Sequence, residues 1–142
     1  MEFISLSTRK SIANTVTPIK LGAYERLVLF LERTSPDSLI MRVQRNDMTN
    51  MDLQRALLNN IRQEYEHNYS QQLYVSNQAS IVVKNAKESI TQLINMSAAQ
   101  VDPNENSTKL AMLIIETYYS VENPPAKIAI DFLRTELKSY FG

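Results

Sequence analysis

TPIKLGAYERLVLFLERT, residues 17–34, is the most apolar and best-punctuated stretch of this chain, and its reading decides the fold. Pro18 suits a first helical position, where its missing N–H would be unpaired in any case, and Thr17 before it is a fitting cap. Tyr24, Leu27, Val28 and Leu31 then recur at helical spacing, with Leu21 extending the stripe by a turn. Leu29 and Phe30 fall off that stripe, so the helix is apolar over much of its circumference. Such a helix is expected inside a bundle, with the others packed around it.

The rest of the composition agrees. At 142 residues the chain is long enough for one domain with a genuine core. Lysine plus arginine equals aspartate plus glutamate at 15 each, so the electrostatic footprint that most nucleic-acid binding needs is lacking. There is no cysteine, which removes thiol nucleophiles, zinc-knuckle spacings and disulfide frameworks together. Gly22 and Gly142 are the only glycines. Phosphate-cradling loops and dinucleotide turns need glycine for positive φ and close backbone approach, and a sheet-rich fold needs it for tight turns. No apolar run approaches the roughly 20 residues that cross a bilayer. Residues 1–16 lack the apolar block of a secretory signal and read as a flexible tail or tether, so the single helical domain is placed at 17–142.

Along the chain, the first helix is expected from Pro18 to about Arg33. Gly22 inside it costs roughly 1 kcal/mol relative to alanine, so either a neighbouring helix approaches closely there or the regular helix starts later. Thr34-Ser35-Pro36-Asp37 opens a short helix to about Arg45, with Leu39, Ile40 and Val43 on one side. Thr49-x-x-Asp52 resembles a capping box and starts a helix expected to reach Tyr74, its stripe being Leu53, Leu57, Leu58, Ile61, Tyr65, Tyr69 and Leu73. Ser76 can cap the next, Asn77 to about Gln100, with Ile81, Val82, Ala86, Ile90, Leu93, Ile94 and Ala98 inward. The break between these two is weak, and a hairpin competes with one long kinked helix. The hairpin is more economical because the two stripes bury each other. A fifth helix starts at Asp102-Pro103 or at Ser107, with Leu110, Leu113, Ile114 and Tyr118 inward. Asn123-Pro124-Pro125 opens the last, to about Phe141, with Ile128, Phe132, Leu133, Leu137, Tyr140 and Phe141 inward. The expected fold is all-α: an irregular antiparallel helical bundle of five to six helices.

AYERLVLFLER (Ala23–Arg33) and YEHNYSQQLYVS (Tyr65–Ser76) resemble an uncharacterised family of Bacteroidota proteins, a domain of unknown function. The resemblance covers most of residues 17–100 and is less distinct beyond. It implies an N-terminal membrane helix, a polar stalk and a cytosol-facing helical domain opening on threonine-proline. No membrane helix precedes Thr17 here. Either an anchor is missing from this chain, with Met1–Val16 as a stalk remnant, or this member is soluble. The family has no established activity, so the resemblance brings a tether and no catalytic residue.

Few residues are equipped for chemistry. Glu64-x-x-His67 has the spacing that di-iron bundles use, but those sites repeat the motif on a second helix and this chain has one histidine. The pair therefore stands as a polar cluster beside the core stripe. Glu64 and Glu66, two apart, do not share a helix face, which disfavours paired acid–base work. Arg9, Lys10 and Lys20 suit a solvated stalk, or contact with anionic lipid if a membrane lies near. Glu25 and Glu32 are seven residues apart, as are Arg26 and Arg33, so each pair lies along one side of the first helix. They are expected to form interhelical ion pairs at the core rim or a partner's docking face; Tyr119 is the better surface candidate of the Tyr118-Tyr119 pair. No catalytic residue, metal or cofactor is expected. The sequence points to a non-enzymatic interaction module that binds another protein or itself, with nucleic acid disfavoured and a membrane reached only through an anchor absent from this chain. Its place is the cytoplasm or the cytoplasmic face of the inner membrane. The alternative is an enzyme or small-ligand domain with a site near Glu64 and His67.

Overall fold

The computed structural model describes the backbone of residues 6–141 and the side chains of residues 17–140. Among these described residues six α-helices follow one another: α1 (Leu6–Arg33), α2 (Pro36–Val43), α3 (Asn50–Asn68), α4 (Asn77–Ala98), α5 (Thr108–Tyr119) and α6 (Pro125–Phe141). A 3₁₀ segment, Tyr69–Tyr74, joins α3 to α4, and there is no strand among the described residues beyond an isolated bridge between Thr49 and Asn106. The all-α bundle expected from the sequence is what forms.

The spine of the bundle is α4, not α1. Ala79, Val83, Ala86, Ile90, Ile94 and Ser97 are all buried, an unbroken i, i+3/i+4 stripe along the whole helix. Its N-terminal half packs with Tyr24, Leu27, Phe30 and Leu31 of α1 and Ala129 and Leu133 of α6. Its C-terminal half packs with Leu39 and Ile40 of α2, Leu53, Leu57 and Ile61 of α3, and Leu110, Ile114 and Tyr118 of α5. Two apolar cores thus share one helix. The alanines at 79, 86 and 129 let α6 lie close on the first half, where α1 contributes the bulk through Tyr24 and Phe30.

The connection between α3 and α4 is a hairpin. Gln54 Nε2 donates to Asn95 Oδ1 at 3.0 Å and Lys87 Nζ sits 4.4 Å from the Tyr65 ring centre, which sets the two helices antiparallel. Val75 is extended, and Ser76 caps α4 by accepting the Ala79 amide at 3.0 Å. The capping box at α3 is complete: the Asp52 amide donates to Thr49 Oγ1 and the Thr49 amide to Asp52 Oδ2, each at 3.1 Å. Pro36 occupies the first turn of α2, and Ser107 immediately precedes α5, the later of the two expected starts.

Several expectations are corrected. Pro18 does not begin α1; it lies inside a helix that runs from Leu6, at the expense of one backbone hydrogen bond. Of the tail placed at residues 1–16, the backbone from Leu6 continues α1, and residues 1–5 lie outside the described residues. Phe30 is fully buried despite lying off the apolar stripe, because Tyr65 of α3 packs on that side with ring centres 5.7 Å apart. Leu21 is exposed and Val28 half-buried. The α-helical register of α3 ends at Asn68, and three residues per turn thereafter rotate Tyr69 and Leu73 outward, to 61% and 81% exposure. Ile81, Ile128 and Tyr140 are also exposed rather than inward, and the Phe141 side chain lies outside the described residues.

Polar side chains fix the ends of the elements. Asn50, buried at the start of α3, donates through Nδ2 to the Asp102 carbonyl at 2.8 Å and accepts the Leu110 amide on Oδ1 at 3.1 Å. It therefore caps α5 from another helix, while the Ser107 hydroxyl accepts from Gln44 Nε2 at 3.1 Å instead of capping its own. At the far end, the buried Tyr24 hydroxyl donates to Glu136 Oε1, which also accepts from Ser76 Oγ at 2.5 Å. That joint ties α1, the α4 cap and α6 together. Burial, reinforced by the bonds to Glu136 and Tyr140, pushes the Tyr24 hydroxyl well above the ordinary tyrosine pKa.

Candidate functional site

The charged residues singled out on α1 surround its outer face. At 100° per residue, Glu25 and Glu32 fall about 40–60° to one side of Leu29, and Arg26 and Arg33 about 40–60° to the other. Leu29 stands 54% exposed between the rows, and Gly22 lies two turns below it on nearly the same line. Each row borders a groove. On the acidic side, toward α6, the groove is lined by Glu25, Val28, Leu29, Glu32, Leu133 and Arg134. On the basic side, toward α3, it is lined by Arg26, Leu29, Phe30, Arg33, Glu64 and His67.

Half of the charged set closes ion pairs within the chain. Arg33 reaches Glu64 Oε1 through Nη2 at 2.7 Å and Nε at 3.1 Å, joining α1 to α3. Arg134 Nη2 meets Glu32 Oε1 at 3.2 Å, joining α6 to α1. Of the four residues, Glu32 and Arg33 thus make interhelical pairs at the core rim. Glu25 and Arg26 are exposed and have no ion-pair partner among the described residues. Arg42 of α2 adds a further positive charge nearby, donating to the Arg33 carbonyl at 2.9 Å and so closing the C-terminus of α1.

Glu64 and His67 do come together at the basic groove, whose volume of ≈ 470 Å³ is that of a small-ligand site. The groove is open to solvent, His67 is exposed, and Glu64 is already engaged by Arg33. Among the described residues no group of three or more histidine, cysteine, aspartate or glutamate side chains is placed to hold a metal ion. A more apolar pocket of ≈ 170 Å³ lies between α4 and the α5–α6 turn, lined by Ile90, Leu93, Tyr118, Val121, Pro124 and Pro125. No ionisable acid, base or nucleophile pair lines it.

Tyr119 is exposed, as expected, but it is not idle. Its ring meets Tyr118 edge-on at 5.1 Å, and its hydroxyl lies on the side of the Asp37 carboxylate at the start of α2. Burial and then that carboxylate push the Tyr119 hydroxyl up to about 12. Burial alone would raise the Asp37 carboxyl, but the hydroxyls of Tyr119 and Ser35 and the backbone amides outweigh it and hold the group below its ordinary value.

The residue that sequence reasoning passed over is Leu29. Its displacement from the apolar stripe was visible in the spacing, and that displacement is what puts it on the surface.

Fold and site together define an all-α bundle whose chemistry-bearing side chains sit on helix surfaces. No helix among the described residues is long and apolar enough to cross a membrane. The chain belongs to a family of unknown function, DUF7935, whose model matches residues 2–140. Comparison with curated proteins and with solved structures finds no match.

Proposed function

We propose that this chain is a non-enzymatic helical module that binds another protein or a second copy of itself. The observation that carries the reading is the outer face of α1, where Leu29 stands half-exposed between Glu25 and Arg26. An apolar centre with a charged border is the anatomy of a protein contact. The ionisable residues nearest to a chemical constellation give weaker support to catalysis, because Glu64 is held by Arg33 and His67 faces solvent.

The proposal extends to place. On the strength of the AYERLVLFLER resemblance we assign the chain to the Bacteroidota family of tethered helical domains, working in the cytoplasm or at the cytoplasmic face of the inner membrane. The rival reading, a small-ligand site at Glu64 and His67, has the basic groove in its favour. Crosslinking and affinity capture of the full chain from its native cells test the proposal. Recovery of one partner, or of the chain itself, in a manner lost on Leu29→Asp is expected. Recovery of neither would end it.

A further inference from the structure

Among the described residues, nothing packed against Gly22 calls for a glycine. It sits in the middle of a regular 28-residue helix, where alanine would be more stable, and its backbone needs no positive φ. A Cβ built there meets nothing within 4 Å, so no neighbouring helix among the described residues requires the absence of a side chain. The face at Gly22 is therefore open, among the described residues, to the close approach of a second helix. Gly22 lies about 20° around the helix from Leu29, on the face already described.

We infer that this face is the contact between two copies of the chain, with their α1 helices running parallel about a two-fold axis along the helices. The inference rests on the module reading above and names its partner. The charge rows select the geometry. About an axis parallel to the helices, the acidic row of one copy faces the basic row of the other. In an antiparallel pair facing through the same surface, acid faces acid and base faces base. In the parallel pair Glu25 of one copy lies level with Arg26 of the other to within one residue's rise, about 1.5 Å, and Glu32 with Arg33 likewise. Glu25 and Arg26 are the members without an ion-pair partner among the described residues. Glu32 and Arg33 keep side-chain exposures of 49% and 39% beside their internal partners, so each can take a second one. Leu29 and Gly22 then meet their own counterparts on the axis: the leucines close the contact and the glycines let the backbones approach.

Two sets of variants test this in the full chain. The protein has no cysteine, so a single introduced one reports on its own position. Gly22→Cys and Leu29→Cys should both form interchain disulfides on mild oxidation. An antiparallel pair centred on Leu29 would separate the two 22 positions by about 21 Å, beyond any disulfide. Crosslinking at Leu29→Cys alone therefore refutes the parallel arrangement. In sedimentation equilibrium, Leu29→Asp should weaken the dimer by roughly 30-fold, since each exposed leucine is buried and counted in both copies. Glu25→Arg and Arg26→Glu should each weaken it, and the combined Glu25→Arg/Arg26→Glu chain should dimerise again. Circular dichroism of these exposed-site variants should match the parent. A chain that stays monomeric throughout while one specific partner docks on α1 overturns this inference and leaves the module reading intact. A monomer with no partner ends both.

Discussion

Replacing Asn50 by alanine removes two hydrogen bonds that join α3 to the loop and helix behind it. The bond to the Asp102 carbonyl, at 2.8 Å, has an exposed partner that water can serve once the amide is gone. Its net loss is about 1 kcal/mol. The bond from the Leu110 amide, at 3.1 Å, is different: Leu110 is fully buried, and its N–H would be orphaned at the start of α5. That adds roughly 1–3 kcal/mol, giving about 2–4 kcal/mol in total. For a domain of this size the midpoint of thermal unfolding should fall by about 4 °C per kcal/mol, so by about 8–16 °C. Denaturant unfolding measures the loss, and amide exchange localises it, with Leu110 exchanging faster than the rest of α5. Gln54→Ala is the control. It breaks a solvent-accessible bond to the exposed Asn95 and should change stability by less than about 0.5 kcal/mol. If Asn50→Ala matched that control, the reasoning about a cap supplied by another helix would be refuted.

Other outcomes follow from the same physics. Tyr24→Phe should destabilise at neutral pH by about 1–3 kcal/mol, because Glu136 loses a buried donor. The raised Tyr24 pKa means that its contribution is complete below about pH 10 and is lost as pH rises above it, so the parent should lose stability in alkali faster than Tyr24→Phe. Tyrosine absorbance followed through alkaline titration should show Tyr119 ionising only near pH 12. Leu57→Ala should cost about 2–5 kcal/mol while Leu73→Ala costs almost nothing, since one is fully buried and the other 81% exposed; denaturant midpoints separate them. A double-mutant cycle on Arg33 and Glu64 should give a coupling of about 0.2–1 kcal/mol, diminished by salt, because both side chains keep contact with water.

What could be read from the sequence was local. Thr49 with Asp52 and Ser76 with the Ala79 amide are signals reaching three residues along the chain, and each caps where its spacing implied, while Ser35 precedes Pro36 at the start of α2 without a side-chain cap. Pro18 is the instructive failure: it fits a first turn so well that it marked a start, yet the helix tolerates it internally. The rank of the helices was misjudged for another reason. The stretch at 17–34 is the greasiest, but centrality follows from how far a buried stripe extends, and the stripe of α4 runs its whole length with small residues at one end. Asn50 left no trace because its partners lie 52 and 60 residues away. Tyr69 and Leu73 misled because a change from α to 3₁₀ winding leaves no mark in a periodicity. At the site, the two charge rows on α1 were legible from their seven-residue spacing. Their internal partners Glu64 and Arg134 were not, since nothing in a single sequence joins residues 31 and 102 positions apart.

Amide chemical shifts of the full chain, recorded over a dilution series, test the central claim most directly. A module that pairs with its own copy through the outer side of α1 predicts concentration-dependent shifts confined to Gly22, Glu25, Arg26, Leu29 and their neighbours along that face. A spectrum unchanged by dilution, with the amides of Glu64 and His67 moving instead when zinc is added, would contradict it.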